Sequence, residues 1–130
     1  MEIFKLNIPN KKEYVISARL AATSVAGIHG YDIEKVDDIR LAVGEACNNV
    51  VLHGRGSKSI DIVIQVEEKF MKISVSDQGE GFIHGQISSP TPEDYMGSGL
   101  GLYIIDSLMD EMVVESEQEK GTTIHMIKNR

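Results

Sequence analysis

Between Ile60 and Val75 the apolar residues fall on every second position, in two runs. Ile60, Ile62, Ile64 and Val66 share one face, with Asp61, Val63 and Gln65 on the other. After the polar turn Glu67-Glu68-Lys69, Met71, Ile73 and Val75 repeat the pattern. A period of two belongs to a strand, whose side chains point alternately to opposite faces. The chain must therefore build a hairpin, from Ile60 to Val66 and from Phe70 to Asp77, and find something apolar to cover one side of it.

The remainder supplies the cover. Glu2 to Ile8 alternates and ends at Pro9, which predicts a first strand. From about Lys12 to Ile28 the positions Val15, Ile16, Leu20, Val25 and Ile28 fit a helical stripe. Asp32 has the character of an N-cap, with Lys35 rather than Glu at the third helical position, so the full capping box is absent. A second helix is expected from Ile33 to His53, stopped by Gly54, with Val36, Ile39, Val43, Cys47 and Val50 as its buried stripe. Gln78 to Gly97 has the Gly, Ser and Pro content of a loop, with room for one helical turn at Thr91-Pro92-Glu93-Asp94. Leu100 to Met112 predicts a third helix, and Val113–Glu117 with Thr122–Lys128 a closing hairpin. Strands joined by hairpin turns give a mostly antiparallel sheet. Three helices on one face complete a two-layer α/β sandwich, expected to be one domain over residues 1–130.

Lys and Arg number 13 against 20 Asp and Glu, a net charge of −7. Such a chain has no long-range attraction for nucleic acid or anionic membranes, and neither is expected as a partner. The single cysteine, Cys47, excludes an intramolecular disulfide and reads as a small core residue. No stretch approaches the ~18 apolar residues of a spanning helix, and the start is too short and mixed for a signal peptide. The expected location is the cytoplasm.

Two loops and one helix face carry the chemistry. The loops are Asp77-Gln78-Gly79-Glu80-Gly81 and Gly97-Ser98-Gly99-Leu100-Gly101. Glycines opening a helix let backbone N–H groups approach an anion, and the helix dipole favours negative charge there. Taken alone, the same glycines also suit a plain flexible loop. On the second helix Glu45, Asn49 and His53 recur every four residues, on a face roughly opposite the apolar stripe. Asn48 and Asn49 are poor mid-helix residues. Either the helix frays there, or a side-chain oxygen is reserved for a hard cation such as Mg²⁺, which takes few protein ligands.

Glu45-x-x-x-Asn49, Asp77-x-Gly79-x-Gly81, Gly97-x-Gly99-Leu100-Gly101 and Gly121-Thr122, in that order, resemble the signature blocks of the GHKL ATPase superfamily. Leu41 to Gly54 and Gly99 to Glu111 look more narrowly like bacterial anti-sigma-factor serine kinases, a likeness that extends to Ala18-Arg19-Leu20. The larger superfamily members need domains that 130 residues do not hold, and a sensor kinase would need a helical segment with its phosphorylated His ahead of Ile3.

The resemblance implies ATP and Mg²⁺ as cofactors, with Asn49 as metal ligand and Glu45 as general base for a serine hydroxyl. It implies that Asp77 accepts from the adenine amino group, that Thr122 supports the same pocket, and that Gly79 and Gly81 let the purine approach the backbone. Gly99 and Gly101, with Gly97, Ser98 and Leu100, would face the phosphates, and Phe82 to Tyr95 would form the ATP lid. Arg19 matches a position at the partner surface of related proteins. The residues themselves also allow plainer readings: an Asx-turn at Asp77, a strand residue at Thr122, a solvated Glu45, an exposed Arg19.

The implied function is an anti-sigma factor that is also a protein-serine kinase. It would sequester an alternative sigma factor, phosphorylate a STAS-type anti-anti-sigma protein, and act as a homodimer. Two rivals are a switch kinase acting on a STAS protein without holding a sigma factor, and a nucleotide-dependent binding module without catalysis. The second is favoured by one departure: no Lys or Arg lies between Gly81 and Gly97, and position 97, where related kinases can carry an arginine, is glycine. Phosphoryl transfer usually recruits such a charge.

Overall fold

The computed structural model describes residues 1–54, 56–79, 86–88, 100–117 and 120–130. Its strands are β1 (Glu2–Pro9), β2 (Ser59–Val66), β3 (Phe70–Ser76), β4 (Gln86–Ser88), β5 (Glu111–Glu117) and β6 (Gly121–Asn129). Its α-helices are α1 (Val15–Ile28), α2 (Ile33–His53) and α3 (Gly101–Leu108). The strands form one sheet in the order β1-β2-β3-β6-β5-β4, and all five pairings are antiparallel. Pro9, which has no N–H to give to a ladder, ends the edge strand β1.

The expected hairpin is present in the expected phase. Ile60, Ile62, Ile64, Val66, Met71, Ile73 and Val75 are all buried and meet Ile39, Val43, Cys47 and Val50 of α2 in one core. Met109, Met112 and Met126 complete it under α3. The N-cap of α2 forms as expected, with the Asp32 carboxylate accepting from the Lys35 N–H at 2.9 Å. Lys128, buried on β6, donates to Asp38 of α2 and to the Leu108 carbonyl at the end of α3. No described helix is long and apolar enough to cross a membrane.

Four expectations need correction. The buried face of α1 is Val15, Ala18, Ala22, Val25 and Ala26, whereas Ile16, Leu20 and Ile28 face out, Leu20 at 61% exposure. Packing α1 closely on α2 favours alanines at the contact and turns the large side chains away. Lys12–Tyr14 form a 3-10 turn, so the α-helix starts at Val15. The third helix ends at Leu108 instead of Met112. Met109 is already extended (φ −102°, ψ 159°), and the Asp110 N–H joins Ile127 of β6, so Glu111 and Met112 belong to β5. Finally, the stretch read as loop contains the strand β4, paired Gln86↔Glu115 to Ser88↔Val113. The proposed helical turn at 91–94 lies outside the described residues.

Candidate functional site

The C-terminal half of α2 organises the candidate residues. Asn49 is buried, at 6% exposure, and does not lie on a solvent face opposite the stripe. The helix is covered by α1 and α3 as well as by the sheet, so its buried arc widens to take in Gly44, Ala46 and Asn49. Among the described residues the Asn49 side chain has no hydrogen-bond partner. An amide left without such a partner is available to a ligand.

One turn earlier, half-buried Glu45 faces the start of α3. A β-carbon on Gly101 would lie 3.1 Å from Glu45 Oε2. The helix that Gly101 opens has no side-chain cap and no acidic residue of its own in its first turn, so its first N–H groups lack intrahelical partners and the Glu45 carboxylate stands beside its positive end. Arg19 of α1 reaches the same region. Its stem crosses α2 at Gly44, where a β-carbon would sit 2.8 Å from Arg19 Nε. That buried Nε has no hydrogen-bond partner among the described residues. Arg19, Arg40, Gly44, Glu45 and Asn48 line a cleft of about 110 Å³. Cys47, in the core-facing stripe of α2, is inert: burial pushes its thiol up to about 12, against the opposing pull of the Arg19 charge. His53 falls in the last turn of α2, where the helix dipole favours it.

Asp77 stands just past the end of β3. Its carboxyl is 5% exposed, and Oδ1 accepts from the Gly79 N–H at 2.8 Å, which is the Asx-turn allowed by the sequence. Burial raises its pKa; hydrogen bonds from the Gly79 and Thr122 backbones oppose the rise. The backbone beside it is fixed by the Asp77 N–H donating to the Thr122 carbonyl at 2.9 Å. The Thr122 hydroxyl, also buried, shares a 2.8 Å hydrogen bond with Ser116. Gly121 makes this junction possible, because its φ is +100° and a β-carbon there would fall 2.1 Å from the Asp77 carbonyl oxygen. From the other side, a β-carbon on Gly54, the cap of α2, would lie 3.3 Å from Asp77 Cγ.

The structure therefore brings Glu45, Gly101 and Arg19 together around the middle of α2, with Asn49 one helical turn further along, and Asp77, Gly79 and Thr122 together at its end. Leu100 is the N-cap of α3. Gly81, Gly97, Ser98, Gly99 and most of the stretch from Phe82 to Tyr95 lie outside the described residues. Sequence reasoning missed the spatial roles of Gly44 and Gly54, which it had no reason to separate from ordinary helix and cap glycines. It also missed Ser116, whose partnership with Thr122 follows only from the β5–β6 register Ser116↔Thr122.

Comparison with known proteins identifies the family and the fold. The model of the histidine kinase-like ATPase domain family matches residues 8–128. The serine-protein kinase RsbW of Bacillus velezensis is 32% identical, over 98% of this chain and 86% of that protein. The serine-protein kinase RsbW of Halalkalibacterium halodurans is 34% identical, over 98% and 83%. A Mycobacterium tuberculosis crystal structure of RsbU and RsbW domains superposes on the whole of this chain, and on 33% of its own, with a TM-score of 0.76 at 18% identity. That likeness concerns the fold.

Proposed function

The chain belongs to the histidine kinase-like ATPase domain family, and from that premise we propose that it is an ATP-dependent protein-serine kinase with an anti-sigma role. It binds Mg-ATP, sequesters an alternative sigma factor, and phosphorylates a serine of a STAS-type anti-anti-sigma protein, as a cytoplasmic homodimer built on a single domain over residues 1–130. The observation that carries this reading is the span of α2. One end touches the buried Asp77 carboxyl through Gly54, and nine residues earlier Glu45 meets the uncapped start of α3. At ~1.5 Å per residue the two ends are about 13 Å apart, the length scale of a nucleoside triphosphate from base to last phosphate.

On this reading Asp77 accepts from the base amino group, with Thr122 beside it, while Gly79 and Gly81 keep the surface bare enough for a purine. Gly97, Ser98, Gly99, Leu100 and Gly101 offer N–H groups at the positive end of α3 to the phosphates. Asn49 supplies the protein oxygen for Mg²⁺, which when bound neutralises charge on the phosphate oxygens. Glu45 takes the proton from the incoming serine hydroxyl. Arg19, in the cleft it shares with Glu45, meets the protein partner. The names of the 32–34% identical relatives support the kinase assignment.

A second reading, a binding module that uses ATP without transferring phosphate, is favoured by the absence of Lys and Arg between Gly81 and Gly97. The deciding experiment is transfer of radiolabelled γ-phosphate to a purified STAS partner, run beside calorimetric ATP affinity. The kinase reading requires label on a serine; tight ATP binding with no transfer selects the module. A melting temperature unmoved by ATP and Mg²⁺ at ~100-fold excess over the dissociation constant, where about 2.7 kcal/mol of stabilisation is due, would remove both.

A further inference from the structure

Three successive backbone N–H groups leave β3, and each is held by a different partner. The Asp77 N–H bonds the Thr122 carbonyl, the Gly79 N–H bonds the Asp77 carboxylate, and the Gln78 N–H bonds the Ser57 hydroxyl at 3.0 Å. Only the last of these comes from the segment that follows α2. Ser57 is itself buried and tied down: its N–H donates to the Gly54 carbonyl, and its carbonyl accepts from the Asn10 side chain at 3.0 Å. Its hydroxyl proton goes to the Ser59 carbonyl at 2.7 Å.

The identity of those two partners is informative. The β2–β3 ladder pairs Asp61 with Ser76 at its last rung. Continued in the same register, the next hydrogen-bonded rung would set Ser59 against Gln78. In the structure a hydroxyl sits between them, accepting from the Gln78 N–H and donating to the Ser59 carbonyl. Ser57 thus occupies the place of a strand–strand bond. It spaces the Asp77–Gly79 turn away from β2 and fixes it to the end of α2, against which the Asp77 carboxyl already packs at Gly54.

We propose that Ser57 is a positioning residue for base recognition: its hydroxyl, inserted at the end of the β2–β3 ladder, holds the Asp77 carboxyl where it selects adenine over guanine. The proposal rests on Asp77 as the base acceptor. An adenine presents an amino donor where a guanine presents a carbonyl oxygen, so discrimination depends on where the carboxylate is held. Removing the hydroxyl leaves the Gln78 N–H and the Ser59 carbonyl free to bond each other directly, which draws the turn toward β2 and moves the carboxylate off the amino group.

The test is calorimetric affinity for ATP and for GTP, each with Mg²⁺, in the wild type, Ser57→Ala, Ser57→Thr and Asp77→Asn. Ser57→Ala is expected to lower the ATP-to-GTP affinity ratio about five- to tenfold, the worth of one hydrogen bond of ordinary strength; Ser57→Thr, which keeps the hydroxyl, holds the ratio within about twofold. A loss of fold alone lowers the amount of binding protein and leaves the ratio unmoved. Ser57→Cys keeps the volume and weakens the bridge; it serves if the alanine variant does not fold, with the ratio falling in the same direction. An unchanged ratio in the folded alanine or cysteine variant overturns the proposal, as does a threonine variant that loses the ratio as fully as alanine. If Asp77→Asn collapses the ratio and Ser57→Ala does not, the Ser57 role alone fails. If Asp77→Asn leaves the ratio intact, the reading of Asp77 fails and takes the Ser57 role with it.

Discussion

The two ends of the α2 working segment are built in opposite ways. At Asp77 every described backbone donor in the turn has a partner, and small residues press in from both sides. Around Glu45 and Asn49 several polar groups have no hydrogen-bond partner among the described residues: the Asn49 side chain, the buried Arg19 Nε and the side-chain-uncapped first N–H groups of α3. A satisfied corner is rigid and suited to recognising a shape. An unsatisfied one is held ready for groups that arrive with the ligand. On this contrast, substitutions at the first end should change what binds, and substitutions at the second what happens afterwards.

The largest expected effect tests the second end. Glu45→Ala should retain ATP affinity and lose phosphate transfer by ~10²–10⁴-fold, the usual worth of a general base. Asn49→Ala, by contrast, should impair Mg-ATP binding and transfer together. If both variants lose affinity equally, the division of labour along α2 is wrong. Next comes the packed end. Gly121→Ala must place a β-carbon at φ +100° against the Asp77 carbonyl, and should cost more than ~2 kcal/mol, since the left-handed conformation alone costs ~1–2. The check is urea denaturation of the nucleotide-free protein, in which an unchanged midpoint would show that the junction is soft.

Asp77→Asn sharpens the contrast further, because its two consequences have opposite signs. ATP affinity should fall by ~1–3 kcal/mol as a buried acceptor gains a donor edge. The stability of the free protein should rise at neutral pH. Burial raises the Asp77 pKa in the folded state, so its ionisation opposes folding. The stability that Asp77 contributes is present below the unfolded value of about 3.9 and is lost as pH rises through the folded value. The advantage of the asparagine variant, followed by melting temperature against pH, should therefore disappear in acid. An advantage that grows toward low pH would contradict the burial argument. The smallest effect is expected at a solvent-exposed ion pair: the Asp37–Arg40 pair at 3.2 Å should be worth ~0–1 kcal/mol, so Asp37→Ala should leave the denaturation midpoint almost unmoved.

What could be read from the sequence follows the same division. The strand hairpin and the stripe of α2 were legible because large apolar side chains mark them, and large side chains are what a core needs. The α1 face was misread for that very reason, since its contact with α2 is made by Ala18, Ala22 and Ala26. Met109 to Met112 suit either period, and only pairing with Ile127 of β6 decides for the strand. At the site, the odd Asn48-Asn49 pair announced itself by its poor helix propensity. The grouping of Asp77 with Thr122 came from the resemblance, because residues 45 positions apart share no local pattern. Ser57 was silent, for a serine just after a helix cap is what any turn would carry.

The buried Lys128 has a consequence for α3. By bonding both Asp38 and the Leu108 carbonyl, it pins one end of an eight-residue rod, while the other end rests on buried Leu102, with Gly101 beside Glu45 and no polar side chain capping it. A rod of that length is about 12 Å long, so tilting it about its pinned end by roughly 5° carries Leu100 through about 1 Å. That is the precision to which reacting groups must be placed for transfer to occur. The lysine is thus the fulcrum of a short lever: a charge at one end of the helix sets how finely its other end is aimed.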